Sequence, residues 1–330
     1  MRAIITGGAG FIGSNLISKI VSSNEFNKII VLDNLSTGNL LNLKEYKDDI
    51  DFMQIDISVS GEWQNIIQPN DVIFHLAALA DIIPSVKYPE KYFSANVTGT
   101  FNLLEACREK QIRKLIYSAS SSCYGIPDEY PTSELAPIKP QYPYALTKRL
   151  GEELVIHYAK VYKIPANSLR FFNVYGPNSR TTGTYGAMFG VFMAQLHANK
   201  PMTVVGDGTQ TRDFTHVNDV CDAIIAAKNI GTDGEIYNIG SSKTVSVNYI
   251  TQLLGGEVVH IPKRPGEPDC TFADISKFTM QTGWRPKISI ESGIKDLIKR
   301  KSYWENAPVW DPSSIEKATE DWFKYLNIDN

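Results

Sequence analysis

Apolar residues recur along this chain in two rhythms. Short runs rich in β-branched residues occupy 3–6, 29–32, 52–55, 72–75, 114–118 and 166–171. Runs of that length and make-up predict strands buried on both faces. Between them, apolar positions return with a helical period over 11–23, 97–110 and 144–162. Strands that alternate with helices need crossover connections, and so predict a parallel sheet covered by helices on both sides. Near residue 175 the rhythm breaks, with Gly, Pro, Thr and Asn punctuating 175–185. Helices are then predicted over 187–198, 217–228, 275–282, 289–303 and 313–325, and strands over 202–205 and 235–239. Gly206-Asp207-Gly208 marks a turn. The fold class expected is α/β, a doubly wound parallel sheet with a smaller C-terminal α/β region. Residues 1–174 would form the larger part, with 214–240 returning to it. Residues 175–213 and 241–330 would form the smaller.

Composition narrows the class of protein. The 330 residues are 43% hydrophobic and 21% charged, a globular balance that excludes disorder, collagen and coiled coil. A net charge of −3 argues against a general nucleic-acid binder. No apolar run reaches the ~18 residues of a membrane span. The opening residues read as a first strand and not as a secretory leader. Cys107, Cys123, Cys221 and Cys270 form no Cys-x-x-Cys pair. Neither they nor the five histidines have metal-ligand spacing. Reduced thiols in a cytoplasmic protein without a metal are expected.

The first strand runs into Gly7-Gly8-Ala9-Gly10-Phe11-Ile12-Gly13 and then a helix. This is the context a dinucleotide loop requires. Gly7 permits the turn, Gly10 lets the backbone approach a pyrophosphate, and Gly13 lets helix and strand pack closely. The helix N-terminus then offers free N–H groups to the phosphates. Asp33 follows Gly13 by 20 residues. A carboxylate there accepts from the adenosine ribose and repels a 2′-phosphate, so NAD is expected over NADP in a Rossmann-type sheet. Asp56 is a candidate for the adenine side, although a plain strand-end carboxylate fits as well.

Tyr144 and Lys148 stand four apart, on one face of a helix. The charge of Lys148, with that of an oxidised nicotinamide, is expected to lower the phenol pKa and make a usable base. Upstream, Ser120-Ser121-Ser122-Cys123-Tyr124-Gly125 ends another strand. Its hydroxyls are expected at the sheet's C-terminal edge, where ligands bind. With these residues in hand, the sequence resembles the extended short-chain dehydrogenase/reductase family that works on nucleotide sugars. Within it, the likeness is greatest to UDP-hexose and UDP-N-acetylhexosamine 4-epimerases. The resemblance spans nearly the whole chain. It includes His75-Leu76-Ala77-Ala78, Arg170-Phe171-Phe172-Asn173-Val174-Tyr175-Gly176-Pro177, Gln210-Thr211-Arg212-Asp213-Phe214 and Arg264-Pro265-Gly266-Glu267-Pro268-Asp269.

The resemblance implies a shared first step. Tyr144 takes the proton of the sugar C4 hydroxyl while hydride passes to NAD, and Ser120 holds that oxygen. Ser122 lies on the same face and could also touch the sugar. Cofactor contacts are further implied for Phe11, Ile12, Asn34, Ile57, Leu76, Ala77, Ala78 and Asn96. Dehydratases of the glucose type carry an acid after the hydroxyl residue, to act at C5 and C6. Here those positions are Ser121 and Ser122, and no Asp or Glu occurs between Glu109 and Asp128. Decarboxylases of nucleotide-linked glucuronate also usually carry a Glu in this stretch. A 4-epimerase needs no such acid, and is the reading expected. A 4,6-dehydratase or another 4-keto-forming enzyme is the alternative, then a 5-epimerase or oxidase-like member. A non-catalytic dinucleotide sensor is the remote one.

On the substrate side, Asn173, Arg212 and Arg264 match positions that hold a nucleotide diphosphate, UDP before others. Planar guanidinium forks suit phosphate oxygens. Asp269 is a candidate for the nucleotide ribose. Thr271 is small, which leaves room for an N-acetyl group at C2. Residues 179–185, with Arg180, read as a loop closing over the sugar or as a solvated loop. The helices 97–110 and 144–162 carry apolar residues on more than one face, and the resemblance implies a homodimer through them. The aromatic C-terminal segment around Trp304, Trp310 and Trp322 is expected to cap the substrate region by packing.

Overall fold

The computed structural model describes residues 1–179 and 185–326. Seven strands make one parallel sheet. From one edge they run Ile236–Ile239, Ala166–Phe171, Lys114–Ser120, Val72–His75, Arg2–Thr6, Lys28–Asp33 and Asp51–Gln54. Side chains alternate between two cores. Ala3 and Ile5 turn to one with Val31, Phe74 and Leu169. Ile4 turns to the other with Ile30, Ile73 and Leu115. A register slip of one residue would exchange the two sets, so burial on both faces fixes the pairing. Strand order reverses between Arg2–Thr6 and Val72–His75, and a doubly wound sheet opens a crevice there, beyond its C-terminal strand ends.

Two expected elements differ in detail. Asp51–Gln54 is not buried: it is the sheet's outer strand, and Asp51, Met53 and Gln54 are exposed. The helix expected over 97–110 starts earlier. Pro89–Phe93 passes through a π-helical turn, Ser94–Thr98, into Gly99–Cys107.

The second half builds three small strand pairs. Asn173–Tyr175 lies parallel to Phe214–His216, and Met202–Val205 parallel to Val258–Ile261. Thr211–Arg212 is antiparallel to Val245–Ser246. A third core holds these pairs, with Phe189, Phe192, Val204, Ile250 and Trp304 at its centre. Between its parts the helix Val217–Ala227 leads back to the main sheet, where Ile236–Ile239 adds to the edge beside Ala166–Phe171.

The helix Pro143–Val161 begins with proline at its first turn, where the missing N–H costs nothing. Its inner face is not wholly apolar. Glu152, 1% exposed, accepts from both Nε and Nη2 of Arg170, the latter at 2.7 Å, and from the Ser168 hydroxyl at 2.8 Å. Arg149 adds a second cation. Burial alone would raise the Glu152 carboxyl, but these donors hold it below its ordinary range. Arg170 Nη1 donates to the Tyr124 hydroxyl, which donates in turn to Asn238 Oδ1, both at 2.7 Å. One side chain thus ties the helix to two strands and to the serine turn.

Removing one partner of a buried pair leaves the other charge unpaired, at a cost of about 3–5 kcal/mol. Glu152→Leu is expected to lower stability by that amount in urea unfolding. The double variant Glu152→Leu/Arg170→Met is expected to recover at least half of it.

Candidate active site

A cavity of about 630 Å³ lies along the C-terminal ends of the strands. Gly7, Gly10, Phe11, Ile12 and Gly13 line one end of it. Gly7 has φ +73°, and a Cβ there would meet Ala77 N at 2.6 Å. A Cβ on Gly13 would meet the Gly7 carbonyl at 2.3 Å. Only glycines allow this close loop, and Gly10 starts the helix Phe11–Ser23 with no side-chain cap on its N–H groups. The cradle therefore fits a dinucleotide pyrophosphate. Asp33, Asn34, Asp56, Ile57, Leu76, Ala77 and Ala78 line the same end. Asp33 accepts from Ala9 N at 2.9 Å and Leu35 N at 2.8 Å, so it also braces the glycine loop. Burial pushes its carboxyl up, against those two bonds. Burial would also raise Asp56, but Ser58 and Asn34 donate to it and hold it low.

Ser120, Ser122, Tyr144 and Lys148 come together in the middle of the cavity. Burial raises the Tyr144 phenol, the Ser120 hydroxyl bonds to it and opposes the rise, and Asp81 adds to it. This is the reverse of the lowering expected from Lys148. The reason is burial of the phenol itself; Lys148 is likewise stripped of water, which pushes its ammonium down to about 7 despite the nearby Glu152. Its Nζ lies 4.4 Å from the centroid of the Tyr117 ring. Ser122 hydrogen-bonds to Tyr142, whose ring lies stacked on Tyr144 at 6.5 Å and 7°.

Asn96 does not line the cavity; it stands behind it. Its Nδ2 donates to the Leu79 carbonyl and to Thr147 Oγ1, and its Oδ1 accepts from Leu79 N. The π-helical turn that carries Asn96 aims it at both. Thr100 Oγ1 donates to the Asn96 carbonyl at 2.6 Å, so it accepts from His75 Nε2–H at 2.9 Å. His75 Nδ1 is then the acceptor for the Thr6 hydroxyl at 2.7 Å. The ring is neutral, and burial, reinforced by Lys148, drives its pKa down to about 3.

Asn173, Arg212, Arg264 and Thr271 line the far end. The Thr271 hydroxyl donates to Asn173 Oδ1 at 2.8 Å and accepts from Asp213 N at 3.0 Å. Asp213 is fully buried and accepts from Ser241, Ser242, Thr215 and Ala273, which fixes the strand beside Arg212. Arg264 is gripped by Glu267 at 2.8 Å and by the Tyr185 hydroxyl. Asp269 lies away from the cavity lining, its exposed carboxylate paired with Lys263. Arg180 falls outside the described residues.

Several lining residues escaped sequence reasoning, Asp81 and Tyr142 among them, while Tyr185, Glu267 and Trp322 entered it only as members of a loop, a motif and a capping segment. The aromatic ones look like core in the sequence. Tyr142 alone carried a signal, two residues before Tyr144.

Overpacking the glycine cradle costs about 1–3 kcal/mol. Gly13→Ala is therefore expected to weaken NAD binding about 5- to 150-fold in calorimetry, with little change in far-ultraviolet dichroism. His75 gives a pH signature. Its folded value lies below the 6.5 of the unfolded chain. As pH falls through 6.5, the unfolded state takes up the extra proton and gains on the native one. Stability is expected to drop by about 2 kcal/mol between pH 7 and 5, read by urea unfolding. In His75→Gln this acid slope should flatten.

Comparison with known proteins follows the same lines. The model of the NAD dependent epimerase/dehydratase family matches residues 3–240. A UDP-glucose 4-epimerase of Mycolicibacterium smegmatis is 33% identical over 311 residues, 91% of this chain and 98% of that protein. A UDP-glucose 4-epimerase of Thermotoga maritima, solved with UDP-glucose, superposes with a TM-score of 0.86 at 32% identity, over 92% of this chain and 100% of that one. A dTDP-glucose 4,6-dehydratase of Streptomyces venezuelae, solved with NAD, gives a TM-score of 0.86 at 26% identity, over 92% and 99%. With the glycine cradle, the Asp33 strand end and the Tyr144–Lys148 pair in one cavity, this chain belongs to the NAD dependent epimerase/dehydratase family and is an NAD-using enzyme.

Proposed function

We propose that the chain is a UDP-sugar 4-epimerase acting through a transient 4-keto sugar. One observation carries the reading. Tyr144 meets a serine, not an acid, at the strand end; the two side chains that follow are serines as well, and Ser122 is engaged with Tyr142. That stretch offers a group for moving the C4 hydroxyl proton but none for expelling a C6 hydroxyl.

In this reading Ser120 holds the C4 oxygen and Tyr144 Oη takes its proton. NAD, held by the glycine loop and Asp33, would supply a hydride acceptor and donor for C4. Tyr144 then gives the proton back. Lys148 supplies positive charge beside the phenolate. That charge matters most where Lys148 is protonated, which its depressed value limits to the region below about pH 7. Asn173, Arg212 and Arg264, which line the far end of the cavity, hold the diphosphate. Thr271 leaves space at C2 for an N-acetyl group. The larger unit is 1–174 with 214–240, and the rest is the substrate region. Exposed Phe93, Phe101, Leu146, Val161 and Tyr162 support a homodimer through the helices that carry or border them. Among the described residues no helix is long and apolar enough to cross a membrane, in keeping with a cytoplasmic enzyme.

A second reading rests on Asp81. It lines the cavity and its charge reaches Tyr144, so it is a candidate acid for a 4,6-dehydratase.

Proton NMR of the enzyme with UDP-glucose, UDP-N-acetylglucosamine, UDP-glucuronate and GDP- and dTDP-hexoses separates the two. A mixture of C4 epimers is expected, with no added reductant. A new C6 methyl signal would establish the dehydratase reading instead. Tyr144→Phe is expected to lose turnover by about 10²–10⁴-fold while retaining NAD; unchanged turnover would remove Tyr144 from the mechanism.

A further inference from the structure

The C-terminal helix Pro312–Tyr325 buries Ile315, Thr319 and Trp322. Trp322 is 1% exposed, yet it lines the catalytic cavity. Two contacts leave it in opposite directions. Its ring packs on Tyr142, with centroids 5.5 Å apart at 44°. Tyr142 is the residue stacked on Tyr144 and bonded to Ser122. Its indole Nε1–H donates to the Pro265 carbonyl at 2.9 Å. Pro265 directly follows Arg264, whose guanidinium also lies 4.9 Å from the centroid of Tyr185. Tyr185 packs edge-on against Trp310, at 5.5 Å. Trp310 immediately precedes Asp311, the residue that caps this same helix.

Any buried tryptophan needs a partner for its N–H; what sets Trp322 apart is that the partner lies on the Arg264 loop while the ring lies on the wall beside Tyr144. We infer that Trp322 is a positioning residue that couples the two ends of the cavity. Its ring sets the tilt of Tyr142, and through it that of Tyr144. Its indole N–H sets the loop that carries Arg264. This rests on the reading above, in which Arg264 holds the diphosphate and Tyr144 is the base. A nucleotide that pulls on Arg264 then reaches the catalytic tyrosine through one rigid side chain.

Two variants separate the contacts. Trp322→Phe keeps a ring and loses the N–H; Trp322→Leu loses both. Loss of one hydrogen bond is worth about two- to tenfold in affinity. Trp322→Phe is expected to weaken UDP binding by that factor in calorimetry, with a smaller fall in kcat than Trp322→Leu and no shift of the kcat–pH profile. Trp322→Leu is expected to show the same loss and a further fall in kcat. Its kcat–pH profile should also shift to lower pH, because a loosened aromatic wall hydrates Tyr144. NAD content is expected to match the wild type in both.

UDP affinity that is unchanged in Trp322→Phe overturns the proposal. So does a fall of kcat in Trp322→Leu that only tracks lost folded protein, with no movement of the pH profile. Wild-type enzyme that does not bind UDP overturns the underlying functional reading, and this inference with it. The calorimetric arm needs no turnover, so the two failures are distinguishable.

Discussion

The pairing of Glu152 with Arg170 is the interaction on which the geometry of this enzyme turns. A carboxylate and a guanidinium are held out of water between the helix Pro143–Val161 and the sheet. Desolvating two charges is expensive, and it is offset only where every remaining donor and acceptor is satisfied. Ser168, Arg149 and Tyr124 complete that condition. A purely apolar contact would let the helix slide or rotate by fractions of an ångström at little cost. A forked ion pair does not. The angle at which Tyr144 and Lys148 meet the cavity is therefore set one turn further along their helix.

A second layer acts in the same sense. Thr6, His75, Thr100, Asn96 and Thr147 form a hydrogen-bonded series from the first strand to the catalytic helix. Each member has its donor and acceptor roles assigned by its neighbours, which leaves a neutral imidazole in the centre. Gly151 belongs to this arrangement, since a Cβ there would meet the Tyr117 hydroxyl at 2.3 Å and the Asn96 carbonyl at 3.0 Å. The floor beneath Ser120, Tyr144 and Lys148 is thus polar, buried and hydrogen-bonded throughout, a condition that favours preorganised chemistry.

Much of this was legible in the sequence, for physical reasons. Strands buried on both faces give continuous apolar runs, and six of the seven sheet strands announce themselves so, although the outer one, Asp51–Gln54, sits at an edge and is largely exposed. The glycine loop is readable because only glycine tolerates its contacts. The small strand pairs such as Thr211–Arg212 with Val245–Ser246 are too short for any period to emerge. Asn96, an expected cofactor contact, sits on a π-helical turn with its amide bonded to Leu79 and Thr147, a placement no period reveals. Tyr142 carries only its nearness to Tyr144, and Trp322 only its place in an aromatic segment, so packing is what distinguishes a cavity wall from a core. The electrostatics of Tyr144 could not be read from spacing, since burial acts on both it and Lys148.

The path of the chain carries a consequence for biogenesis. The edge of the large sheet is closed by Ile236–Ile239, after strands of the small pairs such as Met202–Val205 and Thr211–Arg212 have intervened. During synthesis the wholly buried run Ala166–Phe171 therefore emerges with one side unpaired. An apolar strand with open N–H and C=O groups is a template for pairing with other chains. A ribosome that stalls within this interval leaves a nascent chain with most of its sheet formed and a sticky margin. The same interleaving means that neither region is a contiguous stretch of sequence, so the smaller one cannot be exchanged by a simple fusion at a single point.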